Sequence, residues 1–139
     1  MDKNNIRLLI TALVIILIFS ACKTADVVIS DDLSPAELVQ RAQEATDRNR
    51  YNVALQYYKA LHDRNRNNID LIITAEYEIA FIHYKQKNYQ QARSEFNSLL
   101  EYYNSPDAEL LPQQFKVLAN IVLQRMEEKE NRRGFLFFK

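Results

Sequence analysis

Few side chains in this sequence are of the types that do chemistry: one cysteine, Cys22, and two histidines, His62 and His83. A cysteine nucleophile needs a base beside it, and zinc needs several Cys, His or carboxylate ligands at short spacing. Neither histidine has such neighbours along the chain, and Glu76 lies two turns from His83. One glycine, Gly134, is too few for a glycine-rich phosphate loop. We therefore predict that the protein is not an enzyme and holds no metal or cofactor.

The two histidines suit structural roles. His83 falls on the side of its predicted helix that faces the partner helix, which favours a partly buried, hydrogen-bonded ring. His62 ends the preceding helix, where a cation interacts favourably with the helix dipole.

Cys22 follows a short apolar run, residues 8–19, which Lys3 and Arg7 precede. As a helix this run would extend ~18 Å, against ~30 Å of bilayer hydrocarbon. A charged start, a short apolar centre and small residues before a cleavage point are the layout of a secretory signal. The sequence therefore predicts a signal peptide over residues 1–21 and an N-terminal linker over residues 22–33.

The Ser20-Ala21-Cys22 box resembles the cleavage site of bacterial lipoproteins, although Phe19 is bulkier than the usual Leu. The resemblance implies a diacylglyceryl group on the Cys22 sulfur and an N-acyl group on its new amino terminus. The alternative is an uncleaved signal anchor with Cys22 at the membrane surface. Either form of attachment places the remaining chain in the cell envelope, anchored to a membrane on its extracytoplasmic side. The periplasm is the expected compartment, and the choice between inner and outer membrane is left open.

Composition narrows the class of the domain. Eighteen basic residues balance eighteen acidic residues, so no basic field is present to attract nucleic acid. A single glycine argues against an all-β domain, which needs turn glycines, and favours a helical one.

Apolar and small residues recur at helical spacing in five segments, which predicts a helical domain over residues 34–133. Ser34, Pro35 and Glu37 form a helix-start signature. A repeat is also present, because several matched residues lie 38 positions apart. The matched pairs are Ala42 and Ala80, Tyr51 and Tyr89, Ala54 and Ala92, Tyr58 and Phe96, and Leu61 and Leu99. A recurrent period of this length with paired helices is typical of a solenoid.

The segment "AEYEIAFIHYKQKNYQQARSEFNSLLEYYNSPD" resembles the tetratricopeptide repeat (TPR) family, with Ala80, Ala92 and Phe96 at motif positions. It departs from the motif at Glu76 and Asn104, where Trp and Pro are common. The resemblance implies an all-α fold, a short TPR-like α-solenoid of about five antiparallel helices: two repeats plus a C-terminal capping helix. The long repeats look like those of bacterial envelope TPR lipoproteins, including the lipoprotein of the outer-membrane β-barrel assembly machine.

The TPR resemblance also implies a concave protein-binding face. Its members would be Thr74, Tyr77, Phe81, Tyr84, Lys85, Lys116 and Asn120. The alternative is that Tyr77 and Phe81 pack against a neighbouring helix. The partners expected are other envelope proteins or extended peptides, and the oligomeric state is left open.

The expected function is a lipid-anchored adaptor, an accessory of an envelope or outer-membrane assembly complex. The alternatives are a companion of a periplasmic solute-binding protein or transporter, and a structural surface lipoprotein.

The chain ends in an apolar tail, residues 134–139, after a charged helix end. Gly134 suits a helix stop. The tail residues Phe135, Leu136, Phe137 and Phe138 either fold back to cap the open end of the solenoid or dock a partner or membrane.

Overall fold

The computed structural model describes residues 27–137, with side chains as far as Arg132. The predicted signal peptide, Cys22 and Phe138 lie outside the described residues. The described range contains five α-helices, two short 3₁₀ turns and no strand, which confirms the all-α, helical-repeat-like fold. The helices are α1 (Pro35–Asp47), α2 (Tyr51–Arg64), α3 (Ile69–Lys85), α4 (Tyr89–Glu101) and α5 (Gln113–Phe137), with 3₁₀ turns at Tyr102–Asn104 and Ala108–Leu110. Across this range, no helix combines the length and apolar character that crossing a bilayer requires.

The start of α1 is capped by side chains, as the sequence predicts. The Glu37 backbone N–H donates to Ser34 Oγ at 3.3 Å, and the Ser34 N–H donates back to Glu37 Oε2 at 2.9 Å. Pro35 occupies the first turn, where its missing N–H costs no hydrogen bond. This capping box satisfies two N–H groups that a helix start otherwise leaves unpaired.

The ends of α1 and α3 repeat one backbone geometry 38 residues apart. Asn49 and Lys87 both have positive φ, at 56° and 64°. After α1, the Arg50 N–H donates to the Ala45 carbonyl at 2.8 Å; after α3, the Asn88 N–H donates to the His83 carbonyl at 2.9 Å. These are the bonds of a Schellman motif, in which a left-handed residue turns the chain back along the helix. The sequence period is therefore also a period of the turns.

Small residues lie where the helices approach each other. Ala42, Ala54, Ala80 and Ala92 are fully buried, each pair at the same point of its repeat. Around them are two core clusters, one shared by α1, α2 and α3 and the other by α3, α4 and α5. Because α3 contributes to both clusters, it is the element that joins the two halves of the domain.

Matched aromatic residues fill the space beside the alanines. Tyr58 and Phe96 are both fully buried. The Tyr58 hydroxyl has no hydrogen-bond partner within the described residues, and burial raises its pKa above the ordinary value. Phe96 fills the same place in the second half without a polar group to bury.

The segment ahead of α1 lies on the domain. Val27 and Ile29 pack against the first core cluster, and the Val27 N–H donates to Gln56 Oε1 at 2.9 Å. The Arg64 guanidinium donates to the Ser30 carbonyl at 2.9 Å and pairs with Asp31 at 3.1 Å. This part of the predicted linker is thus held against α2.

Helix α5 covers one side of α3 and α4 and leaves its other side exposed. Ala119, Val122 and Met126 are buried against the second core cluster. On the outward side, Val117, Leu118 and Ile121 are 57%, 41% and 39% exposed. Within the described residues, α5 therefore has only one packed face.

Gly134 does not end the last helix, which continues to Phe137. A glycine inside a helix costs about 1 kcal/mol relative to alanine, which does not by itself break the helix. The helix stop expected at Gly134 was therefore wrong. The side chains of Phe135, Leu136 and Phe137 lie outside the described part, so the capping and docking alternatives both stay predictions.

Candidate protein-binding surfaces

Helix α3 positions most of the residues predicted to bind a partner. Asn68 is the N-cap of this helix, and its side-chain oxygen accepts from the Leu71 N–H at 3.2 Å. Thr74, Tyr77, Phe81 and Tyr84 then recur three or four residues apart, which places them on one side of the helix.

The aromatic rings on this side form a continuous row. The Tyr77 and Phe81 ring centroids lie 5.9 Å apart and the rings are nearly parallel, with 12° between their planes. Phe81 and Tyr84 are also stacked at 5.9 Å, and Tyr84 meets Tyr89 of α4 at 5.8 Å. Such contacts add about 0.5–1.5 kcal/mol each beyond the area they bury. The row is thus a pre-organised surface on a rigid element.

One end of the row is covered by other helices. The Tyr77 ring lies 5.1 Å from Phe115 of α5 and 5.7 Å from Phe96 of α4, and only 6% of Tyr77 is exposed. Burial raises the pKa of Tyr77 to about 12. Tyr77 is therefore a core residue that supports the row, as the packing alternative proposed, whereas Phe81 and Tyr84 are only partly buried.

Two lysines accompany the accessible rings. Lys85 Nζ lies 5.6 Å from the Phe81 ring centroid. Lys129 Nζ lies 4.9 Å from the Tyr84 ring centroid and donates to the Tyr84 hydroxyl at 3.1 Å; this bond raises the pKa of Lys129. A cation over an aromatic face contributes about 0.5–1 kcal/mol at exposed sites. Lys129 was missed in the sequence because it is 45 residues from Tyr84 and no local pattern joins them.

A carboxylate that the sequence did not single out also lies on α3. Glu78 is partly buried, and burial raises the pKa of its carboxyl above the ordinary value while the charge of Lys85 opposes that rise. Two glutamates, Glu76 and Glu78, within the mostly apolar run "ITAEYEIAF" were the available sequence signal.

The other predicted residues lie toward the opposite end of α3. Lys116 Nζ is 5.8 Å from the ring centroid of Tyr103, which follows α4. Asn120 donates to the Lys116 carbonyl at 2.8 Å, and the Thr74 hydroxyl donates to the Asp70 carbonyl at 2.7 Å. Thr74 and Lys85 are about 16 Å apart along the helix axis, at 1.5 Å per residue. The contacts above group Phe81, Tyr84 and Lys85, whereas Lys116 lies over Tyr103; that the whole predicted set forms one binding face stays a prediction. We call Phe81, Tyr84, Lys85 and Lys129 the aromatic face.

A second surface lies on the other side of α3. It is a groove of about 740 Å³ between α3, α4 and the connection that follows α4. Its lining residues are Ile69, Glu76, Ile79, Ser94, Glu95, Ser98, Glu101, Tyr102, Ser105 and Leu111. The lining contains three carboxylates, three serine hydroxyls and no lysine or arginine. We call it the acidic groove.

Both histidines contact carboxylates of the acidic groove. His83 Nδ1 lies 2.6 Å from Glu95 Oε2, which agrees with the predicted partly buried, hydrogen-bonded ring. His62 Nε2 lies 3.5 Å from Glu76 Oε1, which also accepts from the Tyr102 hydroxyl at 3.1 Å. These partners come from different helices, so sequence spacing did not reveal them. No group of three His, Cys, Asp or Glu side chains in the described part is arranged to hold a metal ion.

Comparison with known proteins gives one family and one relative. A family model described as "TR130 NTS domain" matches residues 48–124, more than half of the chain, from the start of the turn after α1 to the middle of α5. An uncharacterized protein of Treponema pallidum (strain Nichols) is 34% identical over 103 residues, which are 74% of this chain and 41% of that protein. The chain thus spans about two fifths of the relative's length. No solved structure matches the chain.

These matches correct the family assigned from the sequence. The recognition of a tetratricopeptide repeat lipoprotein was wrong, because the matching family model is a different one and nothing in the comparisons points to such a lipoprotein. The physical reason is that close helix crossings require small residues, with larger ones alongside, in any stack of helical hairpins. Alanines and aromatics at a regular period therefore indicate the fold and leave the family open.

Proposed function

We propose that this chain, which belongs to the TR130 NTS domain family, is a helical protein-binding module and not an enzyme. The observation that carries this proposal is the aromatic face, where partly exposed Phe81 and Tyr84 are fixed by packing and flanked by two lysines. Aromatic side chains provide much contact area and lose little conformational entropy on binding. The expected partner is another envelope protein or an extended peptide, and the lysines favour a partner with carboxylates near its apolar contacts.

The module is held at a membrane by lipid on Cys22, in the extracytoplasmic part of the cell envelope, and needs no other cofactor. The support is the sequence of the N-terminal segment, together with the attachment of Val27 to α2. Val27 is five positions after Cys22, which limits the span between them to ~18 Å. A tether this short keeps the α1–α2 end of the domain near the membrane.

The lipid anchor is tested by changing Cys22 to serine. We expect the variant to lose incorporation of a labelled fatty acid, because Cys22 is the one cysteine of the chain and no thiol remains to carry the lipid. The control is Ser20→Thr, which keeps the cysteine. Fatty-acid labelling that persists in Cys22→Ser would contradict the proposal.

Partner binding is tested by photo-crosslinking in intact cells. A photoreactive residue replaces exposed Lys85 in one variant and exposed Lys59 of α2 in a matched control. We expect a discrete crosslinked protein from the Lys85 position and none from the Lys59 position, since only Lys85 lies at the aromatic face. Equal capture at both positions, or capture at Lys59 alone, would rule out the aromatic face as the binding surface.

A further inference from the structure

The acidic groove is distinct from the aromatic face, because its α3 residues lie on the other side of that helix. We propose that the groove is a second docking site and that it binds an extended, basic segment of a partner protein. Its volume of about 740 Å³ is within the range of sites that accept a few side chains. This inference goes beyond the function proposed above, since each surface can bind without the other.

The charge of the lining selects the occupant. Glu76, Glu95 and Glu101 line the groove without any lysine or arginine among the lining residues. A neutral or acidic segment in the groove would desolvate the exposed Glu101 carboxylate without pairing it, which costs free energy. A segment that carries lysine or arginine would pair with Glu101 and interact favourably with Glu76 and Glu95, so a basic partner is the one that fits.

Two of the carboxylates are already held in position by neighbouring side chains. Glu76 accepts from Tyr102, and Glu95 is held at His83 by a 2.6 Å contact. Such support fixes the position of a carboxylate before a ligand arrives and lowers the entropy lost on binding. The Glu101 side chain is exposed and makes no hydrogen bond or ion pair within the described residues, so its charge is available.

The spacing along α4 predicts the pattern of the segment. Glu95 and Glu101 are six residues apart, about 9 Å along the helix axis. A chain in the extended polyproline II conformation advances about 3.1 Å per residue with three residues per turn, so two basic side chains three positions apart lie on one side about 9 Å apart and would reach both carboxylates. Ser98 lies between them and Ser94 lies next to Glu95, and both offer hydroxyls to the backbone of the segment. Ile69 and Leu111 add an apolar end to the groove that suits one large apolar side chain.

The test measures binding of fluorescein-labelled peptides to the full chain in detergent by fluorescence anisotropy. Each peptide carries one leucine and two lysines three positions apart, in either chain direction; the controls carry glutamate in place of lysine. We expect the lysine peptides to bind, and their affinity to fall when salt rises from about 50 mM to about 300 mM, because exposed ion pairs are screened. Glu101→Lys should weaken binding about tenfold, since it replaces an attraction by a repulsion.

The matched control is Glu127→Lys, an exposed carboxylate on α5 that does not line the groove. We expect it to change peptide affinity by less than about twofold. The proposal is overturned if lysine and glutamate peptides bind alike, if Glu101→Lys binds as the wild type does, or if no peptide binds at about 1 mM. The proposal is also overturned if the wild type self-associates and Glu101→Lys abolishes that self-association, because the groove would then bind a second copy of this chain. Lys85→Ala should leave peptide affinity unchanged, which separates this site from the aromatic face.

Discussion

Phe96→Ala should lower the free energy of unfolding by about 3–5 kcal/mol, the largest single-residue effect that we expect in this domain. Phe96 is fully buried in the second core cluster, and its ring centroid lies 5.7 Å from that of Tyr77. Truncation removes the buried ring and leaves a cavity that the surrounding helices fill only in part. Small domains have about 5–15 kcal/mol of stability in total, so the variant should be close to unfolding at 37 °C. Urea unfolding followed by circular dichroism measures the difference.

Leu110→Ala provides the comparison, because Leu110 is 81% exposed. We expect that variant to stay within about 0.5 kcal/mol of the wild type. A loss of less than about 1 kcal/mol for Phe96→Ala would contradict the packing described for α3, α4 and α5. The same variant should also disturb the aromatic face, since Tyr77 would lose one of the rings that hold it.

Ala80→Leu should destabilise the domain by about 1–3 kcal/mol through overpacking. Ala80 is fully buried, and the facing Ala92 is fully buried in the same cluster. A leucine has no room at this crossing unless α3 and α4 move apart, and such a shift would also displace the second core from Phe96 to Met126. The urea concentration at the midpoint of unfolding should fall, while the slope of the unfolding free energy against urea concentration stays constant.

Ala36→Leu is the matched substitution on a surface, because Ala36 is exposed on the first turn of α1. Since leucine is also a good helix former, this variant should unfold within about 0.5 kcal/mol of the wild type. If the Ala80→Leu variant were as stable as the Ala36→Leu variant, α3 and α4 would not cross closely at Ala80.

The candidate surfaces were predicted only in part. The TPR resemblance implied a face that contains Phe81, Tyr84 and Lys85, and these three do form one group. It could not show that Phe115 would cover Tyr77, because that contact depends on how α5 packs. The acidic groove was not predicted at all, since His62 and Glu76, and His83 and Glu95, meet only after the helices are packed.

The family was the other failure of prediction, and its cause is the same physics that made the fold prediction succeed. Helix crossings constrain residue size strongly, so the period of alanines and aromatics indicated a helical repeat-like fold. The surface residues that distinguish one family of helical repeats from another are constrained by partners and not by packing. Their pattern was therefore not informative about the family.

By itself the sequence determined the helices, their capping at Ser34 and the 38-residue period, which recurs in the buried alanines and in the turns at Asn49 and Lys87. These features arise from local preferences and from side-chain size, which act within one or two helices. Only the tertiary structure decided which aromatic residues stay accessible, how Lys129 meets Tyr84, and where three carboxylates share a groove. Those features join residues that are far apart in the chain, and they depend on the orientation of whole helices after the core has packed.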